Sequence, residues 1–252
     1  MSNTAIVLGA TGAIGTQLVI QLSQRDDVAS VILITRRELN LPLDFPNAIA
    51  SKIHTHVVDF EQLEQQAAAL MPAGAVAFVA LGTTKKQAGS EEAFRRIDHG
   101  LVLAFARACK AANVSRLGVV TAQGANVSSA VFYNRVKGEV ERDIQALALP
   151  SVFFARPSLL LGRPDDGRFA EKLGSMLLTP TASLLPKSVR PISTRRVAAV
   201  MIEVAFDAGS KPPSFVLTNA ESMSGKIESP AHAKKEVRSI QAIGGLNGCW
   251  RS

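Results

Sequence analysis

The 252 residues hold only two cysteines, Cys109 and Cys249. They stand far apart and in no metal or redox spacing. No disulfide framework is encoded, and a reducing, cytoplasmic setting is expected. The chain has one tyrosine and one tryptophan. Its net charge of +7 is spread over scattered basic residues with no aromatic interleaving, so nucleic acid is not expected as a partner. No apolar run reaches membrane-spanning length. No basic stretch precedes an apolar one at the start, so no secretory signal is read. His54 and His56 share one strand face, but no further ligand follows them, and no metal site is read. What is abundant is apolar residue, 47% of the chain. That suffices for one α/β domain with a small appendage.

The chain is organised around Gly9-Ala10-Thr11-Gly12-Ala13-Ile14-Gly15. Before it runs Thr4–Leu8, a short apolar strand. After it, Thr16–Leu22 has apolar residues spaced for one helix face. Strand, glycine turn and helix form the context of a dinucleotide pyrophosphate site. Gly9 permits the tight turn, Gly12 lets backbone approach the anion, and Gly15 lets the helix pack closely. The free N–H groups of the helix start would face the phosphates.

A second strand, Ser30–Thr35, ends in Arg36-Arg37. This lies about twenty residues beyond the glycines, where an acid selects NAD and arginine neutralises the 2′-phosphate of NADP. Two solvated arginines are the plain alternative. A third strand, Ile53–Val58, ends at Asp59-Phe60, where Asp59 would meet the adenine or simply cap the following helix. A fourth, Ala75–Ala80, leads into Leu81-Gly82-Thr83-Thr84, a small-residue turn at the carboxyl edge of the sheet. A long helix is expected over residues 91–112. A fifth strand, Arg116–Val120, ends in Thr121-Ala122, and a sixth, Val152–Ala155, ends in Arg156-Pro157. Strands alternating with helices predict a mostly parallel sheet covered on both faces. Beyond it, residues 158–192 read as a small substrate-side segment, 194–206 as a helix and 214–217 as a last strand. Residues 1–220 would form one domain, and 221–252 a mobile tail.

Tyr133, the single tyrosine, stands four residues before Lys137 on an expected helix, so both side chains share one face. A free phenol titrates near 10. A neighbouring ammonium favours the phenolate, which makes such a phenol a usable general acid and base. Thr121 would hydrogen-bond the same substrate oxygen.

Together, the glycine turn and Tyr133-x-x-x-Lys137 resemble the atypical short-chain dehydrogenase/reductase superfamily. Residues 33–37, 57–61, 81–84, 133–141 and 156–157 are similar to the branch that includes the human Tat-interacting oxidoreductase, TIP-thirty or CC-three. The resemblance implies a three-layer Rossmann fold binding NADPH in preference to NAD. Gly9, Thr11, Gly12, Ala13, Ile14 and Gly15 would form the pyrophosphate turn, and Arg36 and Arg37 would take the 2′-phosphate. Asp59, Phe60, Leu81, Gly82 and Thr83 would border the adenosine. Tyr133, Lys137 and Pro157 would lie at the nicotinamide, and Leu161 and Arg168 on the far side of the cofactor. The implied reaction is hydride transfer between the nicotinamide and a carbonyl or alcohol substrate, within a homodimer by analogy. Two departures stand out. Ala122 replaces a serine common at the end of strand five, and Asp98 falls where relatives carry an asparagine. They leave an alternative open: an NADP(H)-binding regulator that senses redox state and turns over little.

Overall fold

A computed structural model describes residues 3–158, 160–161, 192–207 and 214–218. The strands β1 (Asn3–Leu8), β2 (Val28–Thr35), β3 (Ile53–Val57), β4 (Val76–Val79), β5 (Arg116–Val120) and β6 (Val152–Arg156) alternate with helices. With β9 (Ser214–Thr218) they form one seven-stranded sheet in the order β3-β2-β1-β4-β5-β6-β9. Each neighbouring pair is parallel. Such a sheet is buried on both faces, which is why its strands read as unbroken apolar runs. In β1, Ala5 and Val7 face one core while Ile6 and Leu8 face the other. The first core packs on α1 (Ala13–Ser23) and α8 (Thr194–Phe206). The second packs on α3 (Leu63–Leu70), α6 (Val102–Ala111) and α7 (Phe132–Ala146). This is the Rossmann architecture the sequence implied.

Strand order reverses at β1, whose neighbours are β2 and β4. The chain leaves these strands in opposite lateral directions, which opens a crevice at their carboxyl ends. Every turn singled out in the sequence lies at that edge.

Several details differ from the sequence expectation. The helix over residues 91–112 is three pieces: α5 (Glu91–Arg95), a π-helical turn (Arg96–Leu101) and α6. A short helix, α4 (Lys85–Ala88), follows the Leu81–Thr84 turn, capped by the Thr84 side chain. Another, α2 (Leu41–Asp44), lies between β2 and β3. Two two-residue strands, β7 (Leu160–Leu161) and β8 (Ile192–Ser193), pair in parallel near the ends of the segment expected on the substrate side. The interior of that segment and the tail after residue 220 lie outside the described residues. Among the described residues, no helix is long and apolar enough to cross a membrane.

Cys109 is fully buried in α6, and burial pushes its thiol well above the usual range. It should therefore resist iodoacetamide in the native protein at neutral pH and react only after unfolding, which mass spectrometry would read at this residue.

Candidate dinucleotide-binding active site

The first wall of the site follows from β1. After Leu8 the chain turns at Gly9 with φ of +84°, a conformation that side chains disfavour. A Cβ there would meet the Leu81 backbone at 2.5 Å. At Gly15 a Cβ would lie 2.0 Å from the Gly9 carbonyl oxygen, so the first turn of α1 can sit on the loop only without one. Gly12 differs. Its φ of −76° suits any residue, and its Cβ would meet nothing closer than 3.4 Å. Gly12 lines, with Ala13 and Ile14, one side of a cleft of about 770 Å³. No side chain caps α1, and no acid stands in its first turn. The helix start is therefore open to an anion.

The opposite wall is Ala80 to Thr84, and the far end is formed by Val120 to Gln123, Pro157, Ser158 and Leu160. Tyr133 and Lys137 enter from α7. The Tyr133 ring is 40% exposed at the mouth and tilts against Phe94, centroids 5.7 Å apart. The Lys137 nitrogen lies 5.9 Å from the Tyr133 ring centroid. Gly138, next on the helix, lets α7 pack against the Asn126–Val127 backbone, where a Cβ would lie 2.4 Å away. Lys137 is buried and meets Asp98 Oδ1 at 2.7 Å, a contact of charge rather than an aligned hydrogen bond. Asp98 Oδ2 accepts from the Thr83 N–H at 2.8 Å.

Thr121 also lines the cleft, but its hydroxyl donates to Glu141 Oε1 at 2.6 Å. Glu141 in turn receives Arg156 through Nε at 3.0 Å and a second guanidinium nitrogen at 2.5 Å. This buried network ties the ends of β5 and β6 to α7. Glu141 is not among the residues expected at the site. The signal was present: Tyr133, Lys137 and Glu141 repeat at intervals of four and share one helix face.

Of the expected cofactor contacts, Gly12, Ala13, Ile14, Leu81, Gly82, Thr83, Tyr133, Lys137 and Pro157 come together around one cleft. Gly9 and Gly15 support it from behind. Thr11 is exposed beside the turn and is absent from the lining. Arg36, Arg37, Asp59 and Phe60 stand apart from that lining, at the carboxyl ends of β2 and β3. There the Arg36 guanidinium lies over the Phe60 ring, 5.8 Å from its centroid. The Asp59 carboxylate accepts from the Glu61 N–H at 2.9 Å, the capping alternative. Leu161 lies in β7, with nothing described of its side chain, and Arg168 lies outside the described residues.

The family described as NAD(P)H-binding matches residues 9–208. The chain is 31% identical over 212 residues to protein FMP52, mitochondrial, of Lodderomyces elongisporus, covering 81% of this chain and 87% of that one. It is 32% identical over 176 residues to the mitochondrial protein fmp52 of Aspergillus fumigatus, covering 68% and 72%. Among solved structures, a short-chain type dehydrogenase/reductase from Mycobacterium ulcerans superposes with a TM-score of 0.64 at 15% identity, over 98% of this chain and all of that one. MoeE5 in complex with UDP-glucose and NAD gives 0.62 at 18% identity, over 88% and 80%. The sequence relatives carry the FMP52 name rather than that of the Tat-interacting oxidoreductase. They also correct the cytoplasmic expectation, for they are named mitochondrial proteins. That expectation leaned on cysteine scarcity, which excludes a disulfide framework but does not tell one reducing compartment from another.

Proposed function

This chain belongs to the NAD(P)H-binding family, and on that premise we propose that it is an NADPH-dependent oxidoreductase of the short-chain type, acting on a carbonyl or alcohol carbon. The observation that carries the reading is one cleft that joins an uncapped helix start to a tyrosine–lysine pair. A bound nicotinamide cofactor supplies or accepts the hydride. The N–H groups of Ala13 and Ile14 hold the pyrophosphate. Arg36 and Arg37 hold the 2′-phosphate. Tyr133 gives its phenolic proton to the carbonyl oxygen as it becomes an alkoxide, or takes it back in the reverse direction. Lys137, on the same face of α7, donates to the ribose hydroxyls. Residues 1–220 act as one cofactor-binding unit, and the relatives' names carry mitochondrial residence into the same proposal.

A second reading, the redox-sensing regulator with little turnover, draws on the end of β5. The Thr121 hydroxyl proton is committed to Glu141, and Ala122 offers none. The end of β5 then offers a substrate oxygen no hydroxyl proton of its own.

The 2′-phosphate assignment has its own test. Arg36→Asp is expected to weaken NADPH at least about tenfold more than NADH in fluorescence titrations, because it replaces attraction by repulsion at one phosphate. Equal loss of both cofactors would end that assignment.

A further inference from the structure

Among the described residues that line the cleft, Asp98 and Lys137 are the charged ones. Asp98 is carried by the π-helical turn Arg96–Leu101, where one extra residue per turn reorients the helix face; such turns gather at functional sites. It is 1% exposed, and Lys137 is 3% exposed. A Cβ at Gly82 would lie 3.3 Å from Asp98 Oδ1 and 3.7 Å from the Lys137 nitrogen. Glycine at this position therefore leaves the pair without a roof of side chain. Glu141, one turn further along the same helix face, already has its counter-charge in Arg156. The charge that the described lining presents is thus one plus and one minus.

We propose that Asp98 sets the preference of this cleft between the oxidised and the reduced nicotinamide cofactor. This rests on the reading of the cleft as the cofactor site. The two forms share the same phosphates, riboses and adenine. They differ by one positive charge on the nicotinamide ring. Lys137 alone repels that charge, and the Asp98 carboxylate cancels the repulsion. The ratio of the two affinities therefore isolates the local field from every contact the forms have in common. Asp98 acts here as a positioning and electrostatic residue; it exchanges no proton. At an effective dielectric near 20, a unit charge lining the same cleft changes such a binding constant by about tenfold.

The test is a charge cycle, read by titration of NADP+ and of NADPH into the full chain without substrate. Asp98→Asn keeps the size of the side chain and an acceptor for the Thr83 N–H. It is expected to lower the NADP+/NADPH affinity ratio by about fivefold or more. Lys137→Met is expected to raise the ratio by a similar factor, although it weakens both forms. The double variant removes both charges and should return the ratio to within about twofold of wild type. If Asp98→Asn does not fold, Lys137→Met and the double variant carry the same comparison, since replacing both members of a buried pair is tolerated better than removing one. Ratios that stay within about twofold in both single variants, or that move in the same direction, overturn the proposal. Wild-type protein that binds neither form overturns the cofactor reading itself, a result separate from any behaviour of the variants.

Discussion

Tyr133→Phe is expected to lower turnover by about a hundredfold to ten-thousandfold, the usual contribution of a positioned acid or base, while NADPH still binds. The substitution is clean for structural reasons. The Tyr133 ring packs against Phe94, which also meets Phe132 with centroids 5.5 Å apart. A phenylalanine keeps those contacts and removes only the hydroxyl. The ring is 40% exposed, so no buried polar partner is orphaned and stability should hold. The measurement is NADPH consumption over a panel of aldehydes, ketones and quinones, with wild type and variant side by side. Turnover that survives unchanged would place the acid and base elsewhere. Tight NADPH binding with no turnover in the wild type would favour the regulator, and the search would move to protein partners whose affinity differs between the two cofactor states.

The Thr121–Glu141–Arg156 network bears on how that result is read. Breaking a buried pair by removing one partner leaves an uncompensated charge. A Glu141 variant would therefore disturb β5, β6 and α7 at once, and lost activity there would say nothing about proton transfer. Tyr133→Phe avoids this because its hydroxyl stands outside the network.

What was legible in the sequence was local. The β1 strand, the glycine turn and α1 are contiguous, so their pattern carries this strand–turn–helix unit and its uncapped helix start. Tyr133 and Lys137 sit one helical turn apart, and periodicity alone put them on one face. The parallel sheet followed from the alternation of unbroken apolar strands with amphipathic helices. Other features are long-range. The pairing of Asp98 with Lys137, and of Thr121 with Glu141 and Arg156, joins elements far apart in the chain. Only the folded sheet brings them together, and Asp98 was visible beforehand only as a departure from relatives. The π-helical turn escaped because an inserted residue leaves the apolar spacing of residues 91–112 nearly intact. The two-residue strands β7 and β8 are too short for any period to register. Compartment is not legible in composition, because scarce cysteine marks a reducing setting without saying which one.

The three glycines separate packing from binding, and two alanine variants should part accordingly. Gly15→Ala puts a methyl 2.0 Å from the Gly9 carbonyl oxygen, which is backbone and cannot rotate away. The first turn of α1 must lift off the loop. Overpacking of this kind costs about 1–3 kcal/mol, occasionally more, and a kilocalorie moves Tm by about 2–4 °C in a domain of this size. A fall of roughly 5–10 °C in Tm is expected, with loss of NADPH binding because the N–H groups of Ala13 and Ile14 move with the helix. Gly12→Ala meets no such wall. Its backbone already suits alanine, its nearest neighbours are the Gly9 and Ala80 carbonyl oxygens at 3.4 and 3.5 Å, and its methyl projects into the cleft. Tm should stay within about 4 °C, since Gly-to-Ala changes at compatible sites are worth under about 1 kcal/mol. NADPH affinity should nonetheless fall by about tenfold or more, because the methyl occupies the approach of the pyrophosphate to the backbone. Differential scanning fluorimetry and a binding titration on the same two preparations decide it. If Gly12→Ala binds NADPH as wild type does, the pyrophosphate does not lie against this turn. If it melts early, Gly12 serves the fold, and the open space beside it is no evidence of a ligand.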